Sequence, residues 1–127
     1  MEKVRIALVD DHHLVRQGIK LVIQSIENFD VVSEASNGEM LINNLKALPE
    51  LPHIAVIDVS MPIMNGFETI NYLSKHYISL KCIGMSVDAD HNTVYKIIGA
   101  GAKGFIGKNS SPEQVKQILL QVYKTGS

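Results

Sequence analysis

The chain has 127 residues, a formal net charge of −1, 46% hydrophobic residues and 20% charged residues. This is the size of one domain with a proper core, and the balance is that of an ordinary globular domain rather than a disordered or fibrous chain. Near-neutral charge argues against a broad basic surface for nucleic acid and against a polybasic membrane patch. No apolar run approaches the ~18 residues of a membrane span, and "MEKVRIALVDD" lacks the apolar core of a signal peptide. The lone cysteine, Cys82, rules out an internal disulfide framework and leads us to expect a reducing, cytoplasmic setting. Embedded in "LKCIGMS", it reads as a small buried core residue.

"VRIALVD" reads as a buried strand, and Val15, Gly18, Ile19, Val22, Ile23 and Ile26 follow at helical spacing. "FDVVSEAS" is a second strand. "NGEMLINNLKAL" is a helix with Leu41, Leu45 and Leu48 on one face, stopped by Pro49 and Pro52. "HIAVIDV" is a third buried strand, "SMPIMNG" a loop and "FETINYLSKHY" a helix. "LKCIGMS" is a fourth strand, followed by a helix around Val94, Ile97 and Ile98. "KGFIGK" is a short fifth strand. The last helix opens on Ser111 as N-cap, Pro112 in the first turn and Gln114 as capping-box partner, with Val115, Ile118, Leu119 and Val122 as its apolar face. Its ending "QVYKTGS" reads as a helix fading into a linker. Near-continuous apolar strands alternating with amphipathic helices predict a parallel sheet covered on both faces, in a single α/β domain over residues 1–127.

Such sheets bind ligands outside the carboxyl ends of their strands. Asp10 and Asp11 follow strand one; strands three, four and five end at Asp58, Ser86 and Lys108. An aspartate after a strand is often only a turn residue, and a lysine there only a solvated charge; the completeness of the set makes the case. Three neighbouring carboxylates repel one another unless a cation joins them. All-oxygen donors suit a hard ion, and a site with room for water and phosphate suits Mg²⁺, with Mn²⁺ as a substitute. Lys108 could neutralise a phosphoryl oxygen and the Ser86 hydroxyl could donate to another. Asp58 could attack phosphorus, since carboxylates do form aspartyl-phosphates. His12 and His13 are assigned to the start of the first helix, outside the cation site, with a rim contact by His12 as the minor alternative and with Leu14 and Val15 already turning toward the core.

These residues resemble the receiver domain of bacterial two-component response regulators. The resemblance rests on "VDD" at Val9–Asp11, "DVSMPIMNG" from Asp58, "MS" ending at Ser86 and "GAKGFIGK" ending at Lys108, and it covers essentially the whole chain. "DDHHLVRQGI" and "AGAKGFIGK" further resemble the NarL/LuxR subfamily. The resemblance implies a flavodoxin-like, doubly wound (βα)5 fold with strand order 2-1-3-4-5. It implies Asp58 as phosphoacceptor, and a Mg²⁺ ion held by Asp11, Asp58 and the Ser60 backbone carbonyl, with Asp10 acting mainly through water. Ser86 and Lys108 would contact the phosphoryl group, Phe105 would be the switch aromatic, and Ser60 and Asp88 would tune dephosphorylation. Phe105 stands where tyrosine is commoner, so packing rather than a hydroxyl would drive any rotation. The implied partner is a histidine kinase or phosphotransfer protein, and the face of the fourth helix, fifth strand and fifth helix would be read by a partner or a second copy. The domain itself would not bind DNA or membrane. Subfamily members usually carry a C-terminal helix-turn-helix for transcriptional output, expected to lie outside these residues. The domain would not be an enzyme beyond catalysing its own phosphorylation and dephosphorylation.

Other motifs fail on context. Gly99, Gly101 and Gly104 spell GxGxxG, but the run ends a helix and leads into a strand, the reverse of a dinucleotide fingerprint. "GKN" at Gly107 lacks the first P-loop glycine and its Ser/Thr. Asn109-Ser110-Ser111 matches a glycosylation sequon that a cytoplasmic chain would not use. His53, His76 and His91 read as scattered surface or loop residues. A haloacid-dehalogenase-type hydrolase also uses an aspartyl nucleophile but needs a second acid two residues later, where Ser60 stands. A receiver-like module that is never phosphorylated is the remaining rival.

Overall fold

The computed structural model describes residues 2–88 and 90–126. Five strands, β1 (Val4–Val9), β2 (Phe29–Ala35), β3 (Ile54–Asp58), β4 (Lys81–Ser86) and β5 (Gly104–Gly107), alternate with five helices. The helices are α1 (His13–Gln24), α2 (Gly38–Ala47), α3 (Gly66–His76), α4 (His91–Ala100) and α5 (Pro112–Thr125). The sheet is parallel, in order β2-β1-β3-β4-β5. This is the flavodoxin-like arrangement expected from the sequence. The order reverses between β1 and β3, which makes the carboxyl ends of those strands the place where a ligand crevice forms.

Side chains of a strand alternate between faces, and here both faces are covered, so the strands carry no polar alternation. Val4, Ile6, Leu8, Ile54, Val56, Ile83 and Met85 pack with Ile23 of α1 and Val115, Leu119 and Val122 of α5. Ala7, Val9, Ala55, Ile57 and Cys82 pack on the other face with residues of α2, α3 and α4, among them Leu41, Ile70, Leu73 and Ile97. Cys82 is the core residue the sequence implied; burial pushes its thiol up to about 12, which leaves it unreactive. At Gly84 an added Cβ would overlap Cγ2 of Ile97, so the glycine lets α4 sit close against β4.

Helix boundaries follow local chemistry. Ser111 and Gln114 form the expected capping box on α5, and Gly126 closes the helix in a left-handed conformation (Ser127 lies outside the described residues). Asn65 and Glu68 form a second capping box, on α3, within and just past the stretch assigned to a loop. Gly101 is the left-handed C-cap of α4, which disposes of the apparent GxGxxG motif. One expectation needs correction. Leu14 is 86% exposed and Val15 37% exposed, so neither turns into the core; the first turn of α1 stands beyond the edge of the sheet. Only Ile97 of the α4 residues is fully buried, and Ile98 faces outward. His53 stands in the loop before β3 and is half-buried. Its Nδ1 accepts the Arg5 backbone N–H at 2.9 Å, and its ring meets Tyr123 of α5 edge-on. Among the described residues no helix is long and apolar enough to cross a membrane.

Candidate functional site

The strand ends are held level by backbone hydrogen bonds that continue the ladder past the strands. Asp10 N–H donates to the Ala35 carbonyl at 3.0 Å, Val59 to Met85 at 3.0 Å and Lys108 to Ser86 at 2.8 Å. Just there, three side chains repeat one motif. Asp10 Oδ1 accepts the N–H of His12 at 2.9 Å, Asp58 Oδ1 that of Ser60 at 3.4 Å, and Ser86 Oγ that of Asp88 at 3.0 Å. Each is a turn closed two residues on by a short polar side chain, the local reason these residue types end these strands. The motif occupies one carboxylate oxygen of Asp10 and of Asp58 and leaves the other to face the site.

Those two oxygens are the chemical core of the site. Asp10 is 0% and Asp58 2% exposed. Lys108 Nζ approaches Asp10 Oδ2 at 3.0 Å and Asp58 Oδ2 at 3.1 Å, yet neither oxygen receives an aligned hydrogen bond from the described residues. One ammonium thus serves two buried carboxylates. Burial, then the negative charge of Asp10, raise the Asp58 carboxyl to about 6, against the pull of Lys108 and the Ser60 N–H. Burial by itself would lower the Lys108 ammonium, but the two carboxylates outweigh it and its pKa rises, so the lysine stays charged. Asp11 sits at the rim with its side chain 30% exposed.

The cluster is short of positive charge, and its buried donors are carboxylate oxygens. That is the chemistry of a hard divalent cation site, and Asp10, Asp11 and Asp58 fit one. Of the other sequence-derived residues, Ser86 is buried at the end of β4, Ser60 and Asp88 are exposed in the following loops, and Phe105 is half-buried against the α2–α4 face of the core.

Two features escaped the sequence reading. His12 belongs to the cluster: one ligand atom each of Asp10, Asp11, His12 and Asp58 lies within 4.8 Å of the others. Its backbone begins the helix as assigned, serving as N-cap without a side-chain cap bond, while its ring reaches back over the carboxylates. His13 does stand apart, with Nδ1 at 3.2 Å from the Arg16 guanidinium. Arg16 is the second. Its Nη1 donates to the Asp10 carbonyl at 2.6 Å and its Nε to Glu34 at 3.2 Å. Glu34 also accepts from Gln17 and Lys20, and the Lys20 hydrogen bond chiefly holds its carboxyl below the usual range. This bridge pins the start of α1 to β2 and braces the backbone that presents Asp10 and Asp11. "HHLVRQ" gave a hint in its basic residue one turn after the acids, but the partner Glu34 is remote in sequence.

The five-stranded parallel sheet thus gathers two buried aspartates, a rim aspartate, a hydroxyl and a lysine at the carboxyl ends of four of its strands, where α/β proteins of this topology bind ligands. Residues 6–120 match the response regulator receiver domain, and the chain belongs to that family. It is 35% identical to the nitrate/nitrite response regulator NarL of Escherichia coli K12 over 120 residues, spanning 94% of this chain and 55% of that one. It is 32% identical to the nitrate/nitrite response regulator protein homolog of Haemophilus influenzae over 121 residues, spanning 92% of this chain and 57% of that one. The chain therefore spans little more than half the length of these relatives. Among solved structures it superposes on the signal receiver domain of NarL from Mycobacterium tuberculosis with a TM-score of 0.90 and 29% identity, covering 98% of this chain and 99% of that one. The isolated receiver domain of RcsB from Salmonella enterica serovar Typhimurium, solved with phosphomimetic BeF3⁻, gives 0.87 at 27% identity, covering 98% and 91%. The relatives place the chain among receivers of the NarL/LuxR type, as the sequence motifs indicated.

Proposed function

We propose that this domain is a phosphorylation-activated switch in which Asp58 is the phosphoacceptor. The observation that carries the reading is the shared Lys108 ammonium 3.0–3.1 Å from two buried carboxylate oxygens that lack aligned hydrogen bonds. A histidine kinase or phosphotransfer protein would present phosphohistidine. An Asp58 oxygen attacks phosphorus, the P–N bond breaks, and the imidazole leaves with the electron pair and takes a proton from water. Lys108 would bind a phosphoryl oxygen, and Ser86, whose Oγ accepts the Asp88 N–H and so keeps its O–H free, would donate to another. Asp10, Asp11, Asp58 and the Ser60 carbonyl would hold Mg²⁺, or Mn²⁺ in its place, which supplies charge neutralisation at the phosphoryl oxygens.

Ser60 and Asp88, two residues beyond Asp58 and Ser86, stand where they would influence water attack on the acyl phosphate. Drawing Ser86 toward the phosphoryl group would pull the β4–α4 loop, and Phe105 would repack against α4. The α4–β5–α5 face then carries the change to a second copy or to a C-terminal DNA-binding domain of the kind the relatives' greater length accommodates. Such a domain works in the cytoplasm as a switch, turning over only its own phosphoryl group.

The test is intact-mass or phosphate-affinity gel analysis after incubation with a small phosphodonor and Mg²⁺. A single phosphoryl adduct on the wild type, absent in Asp58→Ala and after chelation, is the expected result. An adduct that persists in Asp58→Ala would sink the assignment of the acceptor; no adduct at all would favour a module that is never phosphorylated.

A further inference from the structure

His12 changes the donor set of the acidic corner. Its Nδ1 lies 3.3 Å from Asp10 Oδ1 and 3.3 Å from Asp11 Oδ1. Ligand atoms about 2.0–2.1 Å from a zinc-class ion stand about 3.0 Å apart at a right angle and about 3.4 Å apart at the tetrahedral angle. Both His12 separations fall between those limits, and one ligand atom of each of the three residues lies within 4.8 Å of the others, close enough for side-chain adjustment to bring them onto one such ion. The His12 side chain is 63% exposed and makes no cap bond, so only the two carboxylates hold its ring in this position. The buried Asp10 and Asp58 oxygens, which share the single Lys108 ammonium and have no aligned hydrogen bond, supply an independent sign that the corner is short of positive charge.

We propose that His12, with Asp10 and Asp11, forms a mixed nitrogen–oxygen site that takes a first-row transition cation of the Co²⁺, Ni²⁺ or Zn²⁺ class in competition with Mg²⁺. The inference rests on reading the acidic corner as a cation site. Imidazole favours this class strongly, whereas Mg²⁺ keeps to oxygen and water. His12 therefore sets which metal the corner prefers, without being needed for the hard ion. A transition ion held here would exclude Mg²⁺ and make phosphoryl acceptance sensitive to metal supply.

The full chain is titrated separately with Co²⁺ and with Mg²⁺, followed by calorimetry and, for Co²⁺, by its visible absorption, which reports nitrogen ligation. Wild type, His12→Ala, His13→Ala and Asp11→Asn are compared. His12→Ala should weaken Co²⁺ at least about tenfold and change its spectrum, while Mg²⁺ affinity stays within about twofold. His13→Ala should change neither, and Asp11→Asn should weaken both. Co²⁺ affinity unchanged in His12→Ala, with Mg²⁺ still bound, overturns this inference alone and leaves the Mg²⁺ reading standing. Equal losses of both metals in His12→Ala also overturn it, because the imidazole would then be acting through the carboxylates. Co²⁺ binding that ignores both His12 and Asp11 places the ion elsewhere and overturns it as well. His12-dependent Co²⁺ binding without Mg²⁺ binding supports it and defeats the Mg²⁺ reading instead.

Discussion

The Asp58 carboxyl is held at about 6 because burial removes water from its charged form and Asp10 repels that charge. A folded-state value above the usual one means that the native protein binds this proton more tightly than the unfolded chain does. The group therefore costs nothing well below pH 4. Its penalty grows as the pH rises toward 6 and is fully present above that, amounting at most to about 3 kcal/mol. In chelator, Asp58→Asn should melt near the wild type at pH 4 and several degrees above it at pH 7, as followed by circular dichroism. A variant that is less stable at pH 7 would contradict this balance of charge. The residues that produce it were legible in the sequence, since Asp10, Asp11, Asp58, Ser86 and Lys108 each close an apolar run and a strand's direction dictates where its end lies. His12 was not. Position in the chain fixes where a backbone stands, but a side chain at a helix start can point along the helix or fold back, and here two carboxylates hold it back.

Among the elements, β4 and α4 meet most tightly at Gly84, where a Cβ would overlap Ile97. Gly84→Ala should therefore destabilise by about 1–3 kcal/mol in urea unfolding. Combined with Ile97→Ala, whose shortened side chain vacates the overlap, its cost should be clearly less than the sum of the two single changes. Strict additivity would mean that the glycine answers to something other than this contact. The same helix marks the limit of periodicity. Val94, Ile97 and Ile98 all predict a buried stripe, yet Ile98 is 48% exposed, and Tyr95 beside it 77%. Helical spacing shows that apolar residues share a side. It does not show how far round that side the sheet reaches, and β5, with four residues, is a narrow floor for α4 to cover. Leu14 teaches the same at α1, which begins beyond the strand ends, where no sheet lies beneath it.

For the molecule as a whole, the site draws on β1, β3, β4 and β5 together, so ligand binding there stabilises the entire fold. With Mg²⁺ at ~100 times its dissociation constant, the proposed reading gives about 2.7 kcal/mol of added stability. The thermal midpoint should rise with Mg²⁺ in the wild type and barely move in Asp11→Asn, whose rim position spares the core. A rise of equal size in both would place the ion elsewhere. The bond from Lys108 N–H to the Ser86 carbonyl carries one more consequence. The two residues proposed to contact the phosphoryl group, a serine from one strand and a lysine from the next, are hitched by their main chains at 2.8 Å. Moving either loop alone would sever that link and strand polar backbone groups, at a cost of about 1–3 kcal/mol. Moving both together would not. Under the proposed switch, these two walls of the crevice would therefore move as one latch rather than separately.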